Sequence, residues 1–484
     1  MTKQEEQAER PLHAVVMPFP AQGHVNALMN FAKLLASRGF FITFINTDWI
    51  ENRIFKKPDD AAAVCRRLEN EGLRFRFLSI PDNLPPDHGR VAVLDEYFQA
   101  LQKLAPVVEQ LLRNDSEGIP PITFIVSDSF ISCTHQVAIN LGVPRVVFWT
   151  LCAASSIAQR NSRLLISKGY IPVNAKAPKS PENLITCLPG KVPPLWPTDL
   201  ISFYRNQNAL FEILLYESDM ANKADYVVVN TFEELEGKET VEGLSNGYPA
   251  LAVGPVFLAN FLEGRGSATS MWEEDPKCLQ WLDMQKPASV LYVSFGSVAV
   301  KSQEQLQDLA LGLEASEQPF LWVIRSDIAG GKSMVLPEGF EDRTKDRALL
   351  VGWAPQSKVL SHPSVGGFLT HGGWNSILEA IGMGVPMIGW PYFADQLLNC
   401  RFAKDVWKIG LDFDEIYEDE NKLVRKEEVE KAVRDLMEGQ EGMELRNNIL
   451  KLKEASAKSV VAGGSSFENL NKFVEDMKIK GGSI

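Results

Sequence analysis

The sequence is poor in cysteine. Cys65, Cys133, Cys152, Cys187, Cys278 and Cys400 are scattered through 484 residues with no CxxC pair. That spacing argues against a disulfide framework or a thiolate zinc site and reads as reduced, cytosolic thiols. No run of about 18 apolar residues occurs, so no membrane span is expected. The opening MTKQEEQAERPL lacks the basic start and apolar stretch of a secretory signal, and the final FENLNKFVEDMKIKGGSI is amphipathic and charged. Long Lys/Arg runs are also missing. With 62 Asp and Glu against 49 Lys and Arg, the net charge is −13, a sign that repels nucleic-acid phosphates and anionic membrane surfaces. The turn Pro18-Phe19-Pro20-Ala21-Gln22-Gly23-His24 has a single glycine where a dinucleotide-binding turn needs G-x-G-x-x-G. There is no GxxxxGK[ST] phosphate loop, no HExxH and no GxSxG. The expectation is a cytoplasmic, monomeric protein that engages neither nucleic acid nor membrane.

What is present is core-forming. Hydrophobic residues make up 45%, including 26 Phe and 10 Trp. Ten short apolar runs read as buried parallel strands: 13–17, 41–45, 122–126, 145–148, 226–229, 290–295, 320–324, 349–351, 367–370 and 386–390. Helical periodicity separates many of them, as in Asn26–Arg38, which stops at Gly39. Strand–helix alternation predicts an α/β protein with two Rossmann-like, doubly wound lobes facing a cleft. The boundaries read as a first lobe at 1–254, an exposed Gly/Ser/charged linker at 255–277 and a second lobe at 278–462. The segment 463–484 reads as a C-terminal helix able to cross back onto the first lobe.

The segment Trp353–Gln396 concentrates the chemistry. A strand candidate at Gly367–Thr370 runs into His371-Gly372-Gly373-Trp374, and Asn375-Ser376 precede a helical run. Ser376 and Glu379 have capping-box spacing, and Asn375 or Ser376 can cap the helix. Strand, glycine turn and helix N-terminus make a seat for phosphate, and His371 adds a donor, so no metal is needed to carry the charge. Trp353 follows a strand, where an indole can stack on a base. Asp395-Gln396 offers acceptors and a donor suited to sugar hydroxyls. Singly, each has a plainer reading: a core Trp, a capping box, a structural His, a surface pair. Their order and spacing together favour the site.

This segment resembles the signature box of plant secondary-product glycosyltransferases, UDP-dependent enzymes of the two-lobed GT-B fold. The matching residues are Trp353, Pro355-Gln356, Leu360, His362, Gly366, Phe368, Thr370-His371, Gly373-Trp374-Asn375-Ser376, Glu379, Gly384-Val385-Pro386, Pro391 and Asp395-Gln396, over 44 ungapped positions. Weaker similarity extends to MPFPAQGHVN and VLYVSFGS. The resemblance implies that Trp353 stacks on uracil while the Ala354 backbone reads its edge. Gln356 and Glu379 would hold the ribose. Ser297, His371, Asn375 and Ser376 would bind the diphosphate. Trp374, Asp395, Gln396 and, from the other lobe, Thr150 would hold the sugar, with the final Gln396 resembling members that prefer glucose. No cofactor beyond the UDP-sugar co-substrate and no metal is implied. Asp412-Phe413-Asp414 spells DxD, but within DFDEIYEDE it reads as a solvated acidic loop.

Transfer to a hydroxyl needs a base, and a His of ordinary pKa near 6.5 suits a concerted proton transfer. His24 and Asp128 each follow a strand of the first lobe, so the Asp could fix the tautomer of the His. Alone, His24 reads as a helix-entry residue and Asp128 as an N-cap; beside the donor box they read as a catalytic pair. His13, His88 and His135 read as structural or loop residues. Phe19, Phe130, Trp149, Trp196 and Phe203 are candidate walls, with His24, of an acceptor pocket for a flavonoid, another phenol, a terpenoid or a hormone. The rival functions are a UDP-sugar epimerase or hydrolase on the same fold and a non-catalytic nucleotide-sugar binding protein.

Overall fold

The computed structural model describes residues 12–481, apart from 58, 115–117, 175–178, 246–249, 266–273, 276, 326–327, 329–334, 414–415 and 417–421. The N-terminal segment, the centre of the linker and Asp414 of the DxD spelling therefore lie outside the described residues. No helix among the described residues is long and apolar enough to cross a membrane.

Two parallel sheets form two α/β lobes. The first contains β1 (His13–Met17), β2 (Phe41–Thr47), β3 (Arg74–Ile80), β4 (Ile122–Asp128), β5 (Arg145–Trp149), β6 (Tyr226–Val229) and β7 (Ala250–Ala252). They lie in the order β3-β2-β1-β4-β5-β6-β7. The second contains β8 (Val290–Ser294), β9 (Phe320–Val323), β10 (Ala348–Val351), β11 (Val365–Thr370), β12 (Met387–Gly389) and β13 (Gly410–Asp412), ordered β10-β9-β8-β11-β12-β13. Each sheet is doubly wound, with its order reversing beside its first strand. After a one-residue register shift at their starts, β1 pairs with β4 up to Met17 opposite Ser127, and β8 with β11 up to Ser294 opposite Thr370.

All ten apolar runs are strands. β3, β7 and β13 are three further strands that the search for continuous apolar runs passes over, and all three are edges. β3 reads RFRFLSI with its burial interrupted, as expected of an edge that keeps one face toward solvent.

The helix Ser465–Gly481 crosses back onto the first lobe. Ser466 Oγ donates to the Gly254 carbonyl at 2.6 Å, and Asn469 Nδ2 donates to that of Ala252 at 3.0 Å. Phe473, fully buried, sets its ring 5.8 Å from Phe31, 5.8 Å from Phe124 and 5.3 Å from Tyr226. The end of the chain thus straps the two lobes together. Phe473→Ala should cost about 3–5 kcal/mol of stability through the cavity it leaves, measured by urea unfolding followed by circular dichroism.

Candidate functional site

The loops at the carboxyl ends of β1 and β4 in one lobe and of β8 and β11 in the other face a common cleft. Its cavity is about 520 Å³, within the range of small-ligand sites. A doubly wound sheet opens a crevice where its order reverses, and here two such crevices confront each other.

In the first lobe, the helix Gln22–Ala36 begins shortly after β1, so His24 sits in its first turn. Asp128 is the last residue of β4 and is fully buried, while the His24 side chain keeps 22% exposure to the cleft. His24 Nδ1 lies 2.7 Å from Asp128 Oδ2 and 3.1 Å from Thr150 Oγ1. Asp128 Oδ1 accepts from the Phe130 amide at 3.0 Å, which holds the carboxylate in place. With Nδ1–H donated to Asp128, Nε2 carries the free lone pair. Burial alone would lower the His24 pKa, but the Asp128 charge and hydrogen bond, with Asp395 behind them, outweigh it and raise the pKa above 6.5. The structure sets the Thr150 hydroxyl against this imidazole.

In the second lobe, the helix Trp374–Met383 starts after the glycine turn with Gly373 as its N-cap, and no side chain caps it. The capping-box reading therefore does not hold. Asn375 and Ser376 lie inside the first turn, and Ser376 Oγ instead accepts from Gln356 Nε2 at 3.0 Å. The N-terminal amides are left for a ligand. Gly296 and Gly373 enclose the His371 ring: a Cβ on either would stand 2.6 Å from it. Burial, then Arg325 and Lys301, push the His371 pKa down to about 3, so the ring is neutral. Ser297 lines the cleft beside it.

Gln356 Nε2 also donates to Glu379, and Ser357 Oγ donates to Glu379 Oε1 at 3.3 Å. Burial pushes the Glu379 carboxyl up to about 7, against those two hydrogen bonds. Trp353 and Ala354 line the same end of the cleft. Gln396 Oε1 accepts the Tyr392 and Phe393 amides at 2.9 and 3.1 Å, which leaves its NH₂ as the available group. Asp395 Oδ2 accepts from Asn399 Nδ2 at 2.8 Å, and burial raises its pKa to about 6.

The two lobes are tied at this point. Asn375 Nδ2 donates to the Gly23 carbonyl at 2.6 Å, one residue before His24. Trp374 Nε1 donates to the Asn230 carbonyl at 2.7 Å, and Asn230 Nδ2 donates to Asn375 Oδ1 at 3.3 Å. Asn230 was missed in the sequence, although it follows β6 at a carboxyl end, the same signal that singled out His24 and Asp128.

Of the candidate aromatic walls, Phe19, Phe130 and Phe203 line the cleft. Trp149 does not: it lies within β5, fully buried between that sheet and its helices. Trp196 is also away from the cleft lining. Its Nε1 donates to the Ser180 carbonyl at 3.3 Å, and its ring lies 5.1 Å from the Arg401 guanidinium. Phe98 and Phe393 line the cleft without having been singled out. The DxD spelling is not a solvated loop at its described positions. Asp412 ends β13 paired with Lys404, and Phe413 is buried 4.8 Å from the Trp390 ring.

Comparison with known proteins places this geometry. The family described as UDP-glucoronosyl and UDP-glucosyl transferase matches residues 264–456, and a glycosyltransferase N-terminal domain matches residues 11–143. The chain is 39% identical to 7-deoxyloganetin glucosyltransferase of Gardenia jasminoides, over 96% of this chain and 97% of that one. It is 39% identical to UDP-glycosyltransferase 85A1 of Arabidopsis thaliana, over 96% and 95%. The structure of Phytolacca americana UGT2 complexed with UDP-2fluoro-glucose and pterostilbene superposes with a TM-score of 0.77 at 30% identity, covering 96% of this chain and 100% of that one.

The His24 environment makes a prediction independent of turnover. An NMR titration of its imidazole should give a pKa above 6.5 in the parent protein. In Asp128→Asn the opposing charge is gone while burial remains, so the pKa should fall below the parent value. An unchanged titration would show that Asp128 does not set the protonation of His24.

Proposed function

Because the chain belongs to the UDP-glucoronosyl and UDP-glucosyl transferase family and is an enzyme of the UDP-glycosyltransferase class, we propose that it transfers glucose from UDP-glucose to a hydroxyl of a small apolar acceptor. The transfer inverts the anomeric centre and uses no metal ion. The observation that carries this reading is the His24–Asp128 pair facing an uncapped helix N-terminus across the cleft.

His24 Nε2 takes the acceptor proton as the acceptor oxygen attacks the anomeric carbon. The bond from that carbon to the phosphate oxygen breaks, and its electron pair leaves with UDP. Asp128 stabilises the imidazolium formed at His24. The growing charge on the diphosphate meets the amides and positive dipole end of the Trp374–Met383 helix, with Ser297 and neutral His371 as further donors. Asn375 is engaged with Gly23 through its side chain, so its part in diphosphate binding falls to its backbone amide. Attack from the His24 side and departure toward the helix lie on opposite faces of the sugar, which gives inversion in one displacement. Trp353 stacks on uracil, worth roughly 1–3 kcal/mol. Gln356 and Glu379 hold the ribose, and Asp395 and the NH₂ of Gln396 hold the sugar hydroxyls. The six cysteines are free, which suits the reducing cytoplasm.

His24→Ala should lower transfer, read by mass spectrometry of the glucoside, roughly 10²–10⁴-fold with UDP affinity by calorimetry little changed. Near-parent transfer by that variant defeats the assignment. A base must be neutral, and the His24 pKa is raised, so kcat/KM should fall on acidification through a pH above 6.5. Transfer should persist in EDTA, and loss there would replace the metal-free reading.

A further inference from the structure

We infer that Asp199 and Arg401 are positioning residues of the sugar site: with Ser202 they latch the first lobe onto the segment that carries Asp395 and Gln396, and so fix those two residues against the donor sugar. This rests on the transferase reading above, in which Asp395 and Gln396 hold the sugar hydroxyls. Asp199 ends the short turn Pro197–Asp199 of the first lobe, and Arg401 ends the helix Gln396–Arg401 of the second. Arg401 Nε stands 2.9 Å from Asp199 Oδ1, with the two side chains 4% and 1% exposed. Arg401 Nη2 donates to the Pro194 carbonyl at 2.9 Å, and Asp199 Oδ2 accepts the Trp196 amide at 2.8 Å. Neither Asp199 nor Arg401 lines the cleft, so each acts on a ligand only through what it holds.

The same segment of the first lobe grips the other end of the helix. Ala394, next to Asp395, has both backbone groups bonded to Ser202. Its amide donates to Ser202 Oγ at 2.8 Å, and its carbonyl accepts from the Ser202 amide at 3.1 Å. Its φ is +58°, in the left-handed region that is unfavourable for a residue with a Cβ. The first lobe thus holds a strained backbone one residue before the sugar-holding pair. Within its own lobe the helix is anchored by Asn399 Nδ2, which donates to the Gly372 carbonyl at 3.0 Å and to Asp395 Oδ2 at 2.8 Å. An ion pair buried between lobes gains little over apolar packing of the same volume, because both charges lose their water. What it adds is a fixed register. Here that register is the placement of a helix whose first residue is Gln396 and whose last is Arg401.

The test is calorimetry of UDP-glucose and of UDP on the full chain, with glucoside formation over a panel of phenols and alcohols read alongside. Asp199→Asn keeps the shape of the side chain and removes its charge. It should bind UDP-glucose roughly tenfold more weakly, the equivalent of one hydrogen bond to the sugar, with UDP affinity at the parent level. Arg401→Met should do the same, and Arg401→Lys, which keeps the charge, should recover part of the loss. Ser202→Ala removes one bond of the latch and leaves the buried pair intact, which keeps the test open where Asp199→Asn does not fold. It should shift in the same direction by less. A loss shared equally by UDP and UDP-glucose, or no loss in either, overturns the inference. If UDP-glucose affinity falls as expected but the parent forms no glucoside, the latch stands and the transferase reading is what fails.

Discussion

The hydrogen bond from Asn375 Nδ2 to the Gly23 carbonyl is the contact on which the site depends. It joins the first turn of the donor-side helix to the residue before His24, so the imidazole and the helix N-terminus are set against each other by one link. Asn230 reinforces it from the end of β6, accepting from Trp374 through its carbonyl and holding the Val256 amide through Oδ1 at 3.1 Å. The helix Ser465–Gly481 closes the arrangement from outside by returning to Gly254 and Ala252. A two-lobed enzyme must hold reactants from different lobes within bonding distance, and rate is sensitive to displacements of an ångström. Three elements distant in sequence share that task here.

The same residue type serves opposite electrostatic ends in the two lobes. His24 is held above its ordinary pKa by a buried carboxylate. His371 is held far below it by burial and by the positive charges of Arg325 and Lys301. A base that becomes an imidazolium benefits from the first environment. In the proposed reaction a neutral donor beside the diphosphate would benefit from the second, since it stays uncharged while the Arg325 guanidinium raises the local potential. Lys301 itself sits among the rings of Phe295, Trp390 and Tyr392, and burial takes its pKa down to about 7.

How far the sequence discloses this follows from locality. The segment Trp353–Gln396 folds as contiguous strand, turn and helix, so its elements could be read from local pattern, and the meeting of His24 and Asp128 could be anticipated because strand ends in such sheets point into clefts. β3 escaped because a half-exposed edge strand alternates with charge, as RFRFLSI does, and β7 and β13 because each is only three residues long. Trp149 was misread for a simpler reason: it ends the strand rather than following it, and its ring turns into the core with Val147 and Val229. Trp196 has a polar neighbour in Arg401, more than two hundred residues away, that no local pattern announces. The capping box failed because the helix begins three residues earlier than its spelling suggests, at Trp374 with Gly373 as its N-cap, which frees Ser376 for Gln356.

The two lobes have nearly the same strand order and yet divide the labour unequally, and topology explains why. A strand–glycine–helix unit presents backbone amides, which recognise phosphate whatever the side chains are. That half of the site can be specified by a short, ungapped stretch. An apolar acceptor of the kind proposed offers no such fixed charge, so a pocket for it would be shaped by side-chain volume. Here that volume comes from Phe19 after β1, Phe98 on the helix Leu94–Gln102, Phe130 after β4, Phe203 in a short turn and Phe393 from the opposite lobe. These walls pack on one another, Phe19 against Phe98 and Phe130 and Phe203 against Phe393, so a change in one reshapes its neighbours. A shared segment of this kind therefore leaves the opposite half of the cleft free to differ, and in this chain that half is walled by phenylalanine rings.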